Sequence, residues 1–313
     1  MSRHVAFGTG QIGRPLIELL VSQGHEVTAV NRRGGTVPGA DVVAGDATDA
    51  AFTTTVCQGS DAVYFCLNAT SYARWADEFP PLQHGVLVGA TRAQARLVVL
   101  ENLYAYGAPG GRRLIESMPA RPTSTKSATR AAMTDRLLAA HGTGQVEVAI
   151  GRASDYYGPG ATSSALGESV FGAALAGKTA QVMGDPDQPH SYSYTADVAA
   201  ALATLGTAPG ATGRVWHLPV SETRTTRELV TQVYRLAGRK PRLLAGGRTT
   251  LRIIGLVKPE MREYAHTLYQ FTGPWVVDDT AFRTAFDTRA TPVDEALSTT
   301  LAWYRDRAFS PAR

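Results

Sequence analysis

Three glycines, two arginines and one lysine carry most of the chemistry legible in this chain of 313 residues. The stretch VAFGTGQIGRPLIELLVSQGHEVTAVNRR sets Gly8, Gly10 and Gly13 in G-x-G-x-x-G spacing, between a predicted strand and a predicted helix. In that context the first glycine permits a tight turn and the second lets backbone approach a pyrophosphate. The third lets the helix pack on the strand, and the helix N-terminus favours negative charge. The loop Gly8, Thr9, Gly10, Gln11, Ile12, Gly13 is therefore expected to cradle a dinucleotide. A glycine-rich turn without a ligand is the bland alternative; the amphipathic helix and second strand within about 20 residues argue against it.

Where the second strand ends, a carboxylate accepting ribose hydroxyls would mark an NAD site. The chain has Asn31, Arg32 and Arg33 there instead. Two guanidiniums attract a 2'-phosphate and can grip it bidentately, so NADP(H) is expected over NAD(H). A solvated turn ahead of Gly34 and Gly35 is the other reading of both arginines. Further on, Lys126 stands near the start of a predicted helix over 125–141, with Pro122 four residues before it. The lysine can hold a ligand hydroxyl; the proline offers no acidic proton and no side-chain acceptor.

The elements that must position these residues read as alternating strands and helices. HVAF, EVTAV, DVVAG, AVYFCL, RLVVLE and VEVAI are nearly continuous apolar runs, as a parallel sheet covered on both faces requires. Helical stretches fall at 11–23, 49–57, 82–95 and 125–141. The pattern is α/β, a Rossmann-like doubly wound parallel sheet with a smaller, mostly helical C-terminal lobe. Residues 1–159 form the dinucleotide-binding domain, completed by about 189–219 and part of 276–313. Residues 160–188 and 220–275 form the substrate lobe, with helices expected over 225–238 and 248–270.

Composition narrows the class. Hydrophobic residues are 44% and charged ones 19%, ordinary for a globular protein with a substantial core. Two cysteines, Cys57 and Cys66, form no CxxC pair, so no disulfide framework or cysteine metal site is expected, and a reducing cytoplasm fits. The N-terminus enters strand and glycine signals directly, and no run approaches the roughly 18 apolar residues of a membrane span. A net charge of +4 is spread without a basic block, so no nucleic-acid partner is expected. No histidine lies in a metal-ligand spacing, and no G-x-S-x-G elbow supports a serine hydrolase.

Several further segments come in a familiar order: GDATD (45–49), FCLNAT (65–70), YAYGAPGGRRLIESMPARP, GRASDYYGPG (151–160), HSYSYTADVAAAL (190–202), and VVDDTAFRTAF with VDEALSTTLAWYRD. Together with the glycine loop they resemble the extended short-chain dehydrogenase/reductase family, also called the NAD-dependent epimerase/dehydratase family. The resemblance runs nearly the full length. It implies an adenine-side Asp46 with Ala47, a cofactor-lining segment Leu67, Asn68 and Ala69, and Ala153 and Ser154 beside the nicotinamide. It also implies that Lys126 holds the nicotinamide ribose, and it suggests a homodimer by analogy.

The same resemblance exposes two departures. The family's catalytic tyrosine falls on Pro122, and its serine or threonine falls on Asn102. Replacement candidates are Tyr104 and Tyr106: in an extended segment Asn102, Tyr104 and Tyr106 would point to one side, giving two phenols as proton donors and an amide to polarise a carbonyl. Each tyrosine could equally be a packed aromatic with a bonded hydroxyl. Asp155, after the sixth strand, could orient the carboxamide or a substrate hydroxyl. His190 reads as a surface or hydrogen-bonded residue before a base, and Tyr157 as structural. Aromatic residues Tyr72, Trp75, Phe79, Tyr104 and Tyr156 suit a flat or hydrophobic substrate. The leading expectation is an NADPH-dependent oxidoreductase acting on a carbonyl or polarised double bond of a small molecule, through an atypical site. A non-catalytic NADP(H) sensor or scaffold comes second. Sugar-nucleotide epimerisation or dehydration comes third.

Overall fold

The computed structural model describes residues 1–71, 74–247 and 267–309. In chain order come β1 (Arg3–Phe7), α1 (Gly13–Ser22), β2 (Glu26–Asn31), β3 (Asp41–Ala44), α2 (Ala50–Cys57), β4 (Ala62–Phe65), α3 (Trp75–Ala93), β5 (Arg96–Glu101), α4 (Thr125–Gly142) and β6 (Val148–Arg152). Then follow β7 (Asp155–Tyr157), a short α5 (Ala173–Leu175), β8 (Ala180–Met183), β9 (Pro189–His190), β10 (Tyr192–Tyr194), α6 (Thr195–Thr207) and β11 (Arg214–His217). The chain continues through β12 (Arg224–Thr225), α7 (Thr226–Leu236), β13 (Leu243–Gly246), α8 (Thr280–Phe286) and α9 (Val293–Phe309).

Seven strands form one sheet in the order β11-β6-β5-β4-β1-β2-β3, with every neighbouring pair parallel. Strand order reverses between β1 and β4, so the loops leaving their C-terminal ends flank a crevice, the place where open α/β sheets bind ligands. Both faces are covered, which is why the strands are apolar throughout. On β1, Val5 and Phe7 pack with Phe79 and Val86 of α3 and Met133 and Leu137 of α4. Ala6 faces the other way, toward Leu16 and Ile17 of α1 and Val198 and Leu202 of α6. A third core joins Tyr157, Phe171, Tyr192, Tyr234 and Leu297 away from the sheet. There β7 pairs with β10, β8 with β13, and β9 with β12.

One expectation changes at the element level, and another falls mostly outside the described residues. Helix α3 begins at Trp75 and runs through Pro80 and Pro81, where the sequence reading starts it at residue 82. A proline inside a helix loses its bond to the carbonyl four residues back and crowds that carbonyl with its ring. Here those carbonyls belong to the first turn, and burial of Trp75 and Phe79 (4% and 0% exposed) holds that turn in place. Most of the helix expected over 248–270 lies outside the described residues; its described end is a 3-10 turn at Leu268–Phe271. Among the described residues no helix is long and apolar enough to cross a membrane.

Helix α3 meets α2 at two glycines. A side chain at Gly85 would run into the Ala47 carbonyl and one at Gly89 into that of Thr53, while the Thr53 hydroxyl donates to the Gly85 carbonyl at 2.7 Å.

At the far end of the sheet, His4 on β1 is fully buried, with Nδ1 3.0 Å from the Tyr64 hydroxyl and its ring 4.6 Å from that of His25. Burial, reinforced by His25, depresses its pKa to about 4. The unfolded chain therefore takes up a proton near 6.5 that the native chain refuses, so stability falls as pH drops from about 6.5 to about 4 and levels off below. The loss is roughly 3 kcal/mol at most. Chemical denaturation across that window should show it, and His4→Gln should flatten the slope.

Candidate active site

The crevice at the sheet's switch point opens into a cleft of about 860 Å³ between the sheet and the outer core. Its floor is the glycine loop. Gly8 has φ +104°, and a side chain there would lie 2.6 Å from the Cys66 carbonyl oxygen. A Cβ on Gly13 would overlap the Gly8 carbonyl oxygen. Those two glycines are demanded by the packing of β1, β4 and α1. Gly10 lines the cleft, yet a Cβ there would meet nothing within 4 Å. The fold itself does not require glycine at this position, and the open space leaves the backbone accessible, a cradle that fits a dinucleotide pyrophosphate. Gln11 and Ile12 line the same floor.

Beyond β2, the Arg33 backbone N–H donates to Asn31 Oδ1 at 2.8 Å, a side-chain-closed turn that leaves Arg32 and Arg33 exposed at the strand's C-terminal end. Asp46 follows β3. Its carboxylate accepts from the Thr48 backbone N–H and hydroxyl, both at 2.9 Å, and these bonds, with Arg32 a smaller contributor, hold its pKa below the ordinary carboxylate value. Ala47 beside it is buried against α3. After β4, Leu67 and Asn68 line the cleft. Asn68 Oδ1 accepts the Ala69 N–H at 3.0 Å, and Thr70 binds Glu78 of α3 through its backbone N–H and its hydroxyl, both at 2.6 Å. This clasp fixes the loop over the cleft. Cys66 also lines it, but burial pushes its thiol up to about 12, as it does for Cys57, so neither is a nucleophile at neutral pH.

The segment after β5 corrects the sequence reading. Residues Tyr104–Tyr106 form a 3-10 turn, where an extended run was expected, so Asn102, Tyr104 and Tyr106 do not share a side. The cause is turn chemistry: Asn102 Oδ1 accepts the Tyr104 N–H at 3.1 Å and winds the chain. Asn102 and Tyr104 line the cleft, with the Tyr104 ring stacked 5.7 Å from Trp75. Tyr106 is turned into a separate core with Leu103, Leu114 and Trp275. Its hydroxyl lies 2.9 Å from His217 Nε2, and burial raises its pKa, which removes it as a proton donor to the cleft. Under it runs a buried polar chain: Arg152 Nε donates to Glu101 Oε2 at 3.2 Å and its guanidinium lies 4.6 Å from the Tyr106 ring.

Helix α4 is started by Ser124 and Ser127 in a reciprocal capping box, and Pro122 lies exposed in the coil before it. One face of the helix carries Lys126, Arg130 and Thr134 at successive four-residue steps, all buried. The residue of this face that lines the cleft is Arg130, and Lys126, one turn earlier, is not among the lining residues. The Arg130 guanidinium stacks 3.9 Å from Phe79 and 4.8 Å from Trp75. Sequence reasoning missed it, although its i+4 relation to Lys126 marked the shared face.

The far wall comes from β6, β7 and the outer core. Ala153, Ser154, Asp155 and Tyr156 line it, together with Thr267, Gln270 and Phe271. The Ser154 N–H donates to Ser193 Oγ at 2.9 Å, and Ser154 Oγ accepts from Trp275 Nε1 at 3.1 Å, tying β6's exit to the outer core. Asp155 Oδ2 lies 2.9 Å from His190 Nε2. Tyr157 points into the third core, in the structural place expected of it. Of the aromatic residues expected at the substrate, Trp75, Tyr104 and Tyr156 line the cleft, Phe79 lies beneath Arg130, and Tyr72 lies outside the described residues.

Residues 5–218 match the model of a family described as the NAD dependent epimerase/dehydratase family. No protein of curated function matches the sequence significantly. Among solved structures, a dTDP-glucose 4,6-dehydratase from Bacillus anthracis, in complex with NAD, superposes with a TM-score of 0.80 at 17% identity, covering 98% of this chain and 97% of its own. A UDP-glucuronic acid 4-epimerase from Bacillus cereus, also with NAD, gives 0.76 at 15% identity over 97% and 99%. MoeE5, with UDP-glucose and NAD, gives 0.77 at 20% identity over 98% and 100%. At these identities the likeness is one of fold.

Proposed function

Because this chain belongs to the NAD-dependent epimerase/dehydratase family, we propose that it is a nicotinamide-dependent oxidoreductase of the extended short-chain dehydrogenase/reductase type, using NADP(H) on a carbonyl or polarised double bond of a small polar molecule. The observation that carries this reading is the cleft itself. Gly10's open approach, Asn68, Asn102, Tyr104, Arg130 and Ser154 converge on one space at the switch point. Bound cofactor would supply the hydride. The protein would then need a proton source, a group to polarise the acceptor oxygen, and a cation to hold the cofactor's sugar.

Tyr104 takes the first role, as the tyrosine that lines the cleft on the strand-five side. Asn102 takes the second: its carbonyl oxygen is spent on the turn, which leaves the amide N–H groups for a substrate oxygen. Arg130 takes the third alongside Lys126. Its charge is pinned on two aromatic faces in a nearly dry setting, where electrostatic contacts are strong.

Preference for NADP(H) rests on Arg32 and Arg33 at the end of β2, where no carboxylate stands. Replacing both by alanine should weaken NADP⁺ at least about tenfold while changing NAD⁺ about twofold or less, since one phosphate-guanidinium contact is worth about 1.5–3 kcal/mol. Titration of the two cofactors checks it; unchanged NADP⁺ affinity would contradict the assignment.

A second reading, sugar-nucleotide epimerisation or dehydration with NAD, is favoured by the fold relatives, whose complexes hold NAD and, in one case, UDP-glucose. The two readings part on net cofactor turnover. A reductase consumes NADPH absorbance with a carbonyl panel, whereas an epimerase or dehydratase leaves the cofactor's oxidation state unchanged over a cycle and acts on a nucleotide sugar.

A further inference from the structure

The far wall of the cleft carries a carboxylate whose mounting goes beyond the needs of packing. Asp155 opens β7 directly after Ser154, and its side chain is 19% exposed, into the cleft it lines. Its Oδ2 is held 2.9 Å from His190 Nε2, and Oδ1 has no hydrogen-bond partner among the described residues. His190 is 3% exposed, and its ring stacks 4.8 Å from Phe271, itself a lining residue, and 4.3 Å from Tyr192. Its backbone is fixed by pairing of β9 with β12 at Arg224 and by a bridge to Trp275. Burial and the two ring contacts hold the imidazole in place, and it sets the carboxylate's direction.

An ionised carboxylate only accepts hydrogen bonds. With one oxygen held by the imidazole, the other can take an O–H or N–H from an occupant of the cleft, whereas a phosphate or carboxylate placed there would be repelled. Arg130 of α4 also lines the cleft, as do two other carboxylates, Glu101, which is paired with Arg152, and Glu168 near Arg307; of the three carboxylates Asp155 is the one held by a buried imidazole.

Building on the cofactor-dependent reading above, we propose that Asp155, oriented by His190, is the substrate-recognition point of the cleft, and that the substrate presents a hydroxyl or ammonium donor to it. The substrate class is then a neutral or cationic hydroxy or amino carbonyl compound. The diphosphate of a nucleotide sugar would have to lie away from this wall.

Two probes of one size and opposite charge test the proposal: glucosamine, with an ammonium and hydroxyls, and glucuronate, with a carboxylate. Their dissociation constants would be measured by competition or calorimetry on the protein with and without NADP⁺. Wild type should favour glucosamine by about tenfold or more, the factor one hydrogen bond to a charged group is worth. Asp155→Asn should bring the ratio close to one with NADP⁺ affinity unchanged. His190→Gln, which keeps a donor near Nε2, should retain most of the preference; His190→Phe, which keeps the stacking, should lose it. A wild-type ratio at or below one, a ratio unmoved by Asp155→Asn, or failure of both probes to bind at tens of millimolar would each overturn the proposal. Because the ratio is also read without cofactor, failure of NADP⁺ to bind would count against the function proposed above and leave this test standing.

Discussion

Gly13→Ala is expected to abolish dinucleotide binding and to destabilise the chain, because the new methyl would overlap the Gly8 carbonyl oxygen, a backbone atom at the tightest point between β1 and α1. Overpacking against rigid backbone costs about 1–3 kcal/mol or more. Here the only relief is to move α1 away from the sheet, which would also reshape the loop. Gly10→Ala is the informative partner. Its methyl meets no protein atom within 4 Å, so the melting temperature should stay nearly unchanged, with a stability effect within about 0.5 kcal/mol. NADP⁺ affinity should still fall by at least about tenfold, a loss of about 1.4 kcal/mol, if the pyrophosphate approaches the backbone at this residue. Melting curves and cofactor titrations on the two variants separate the structural glycine from the ligand-facing one.

Tyr104→Phe should lower kcat by about 10² to 10⁴, the usual worth of a positioned general acid, and leave NADP⁺ affinity unchanged, because the lost hydroxyl is assigned to the substrate oxygen. Arg130→Met should instead weaken the cofactor, by more than Lys126→Met does, since Arg130 is the α4 cation that lines the cleft. The two signatures, a kcat loss and an affinity loss, are measured in the same NADPH-oxidation and titration assays. Equal kcat in wild type and Tyr104→Phe would remove the tyrosine from the reaction.

How much of this was legible beforehand depended on how local the determining physics is. The glycine loop could be read because its constraints act within a few residues: Gly8 must take φ +104°, and Gly13 must touch Gly8. The sheet could be read because strands covered on both faces must be apolar. The turn after β5 could not be read from alternation alone; Asn102 wound it by bonding the Tyr104 N–H, and so divided two tyrosines that a strand would have kept together. Arg130 was hidden for a different reason. Lys126 and Arg130 share a helix face, and it is Arg130, packed over Trp75 and Phe79, that lines the cleft, a tertiary contact that one helix's spacing does not show. Asp155 and His190 are 35 positions apart, brought together by the pairing of β7 with β10 and of β9 with β12. Nothing in the spacing of the two residues announces that contact.

The proposed function depends on the switch-point cleft holding a phosphorylated nicotinamide dinucleotide. Isothermal calorimetry of the purified chain with NADP⁺ and, separately, NAD⁺ tests it most directly. Saturable one-to-one binding, tighter for NADP⁺, is the expected result; absence of heat with either cofactor at millimolar excess would refute this function.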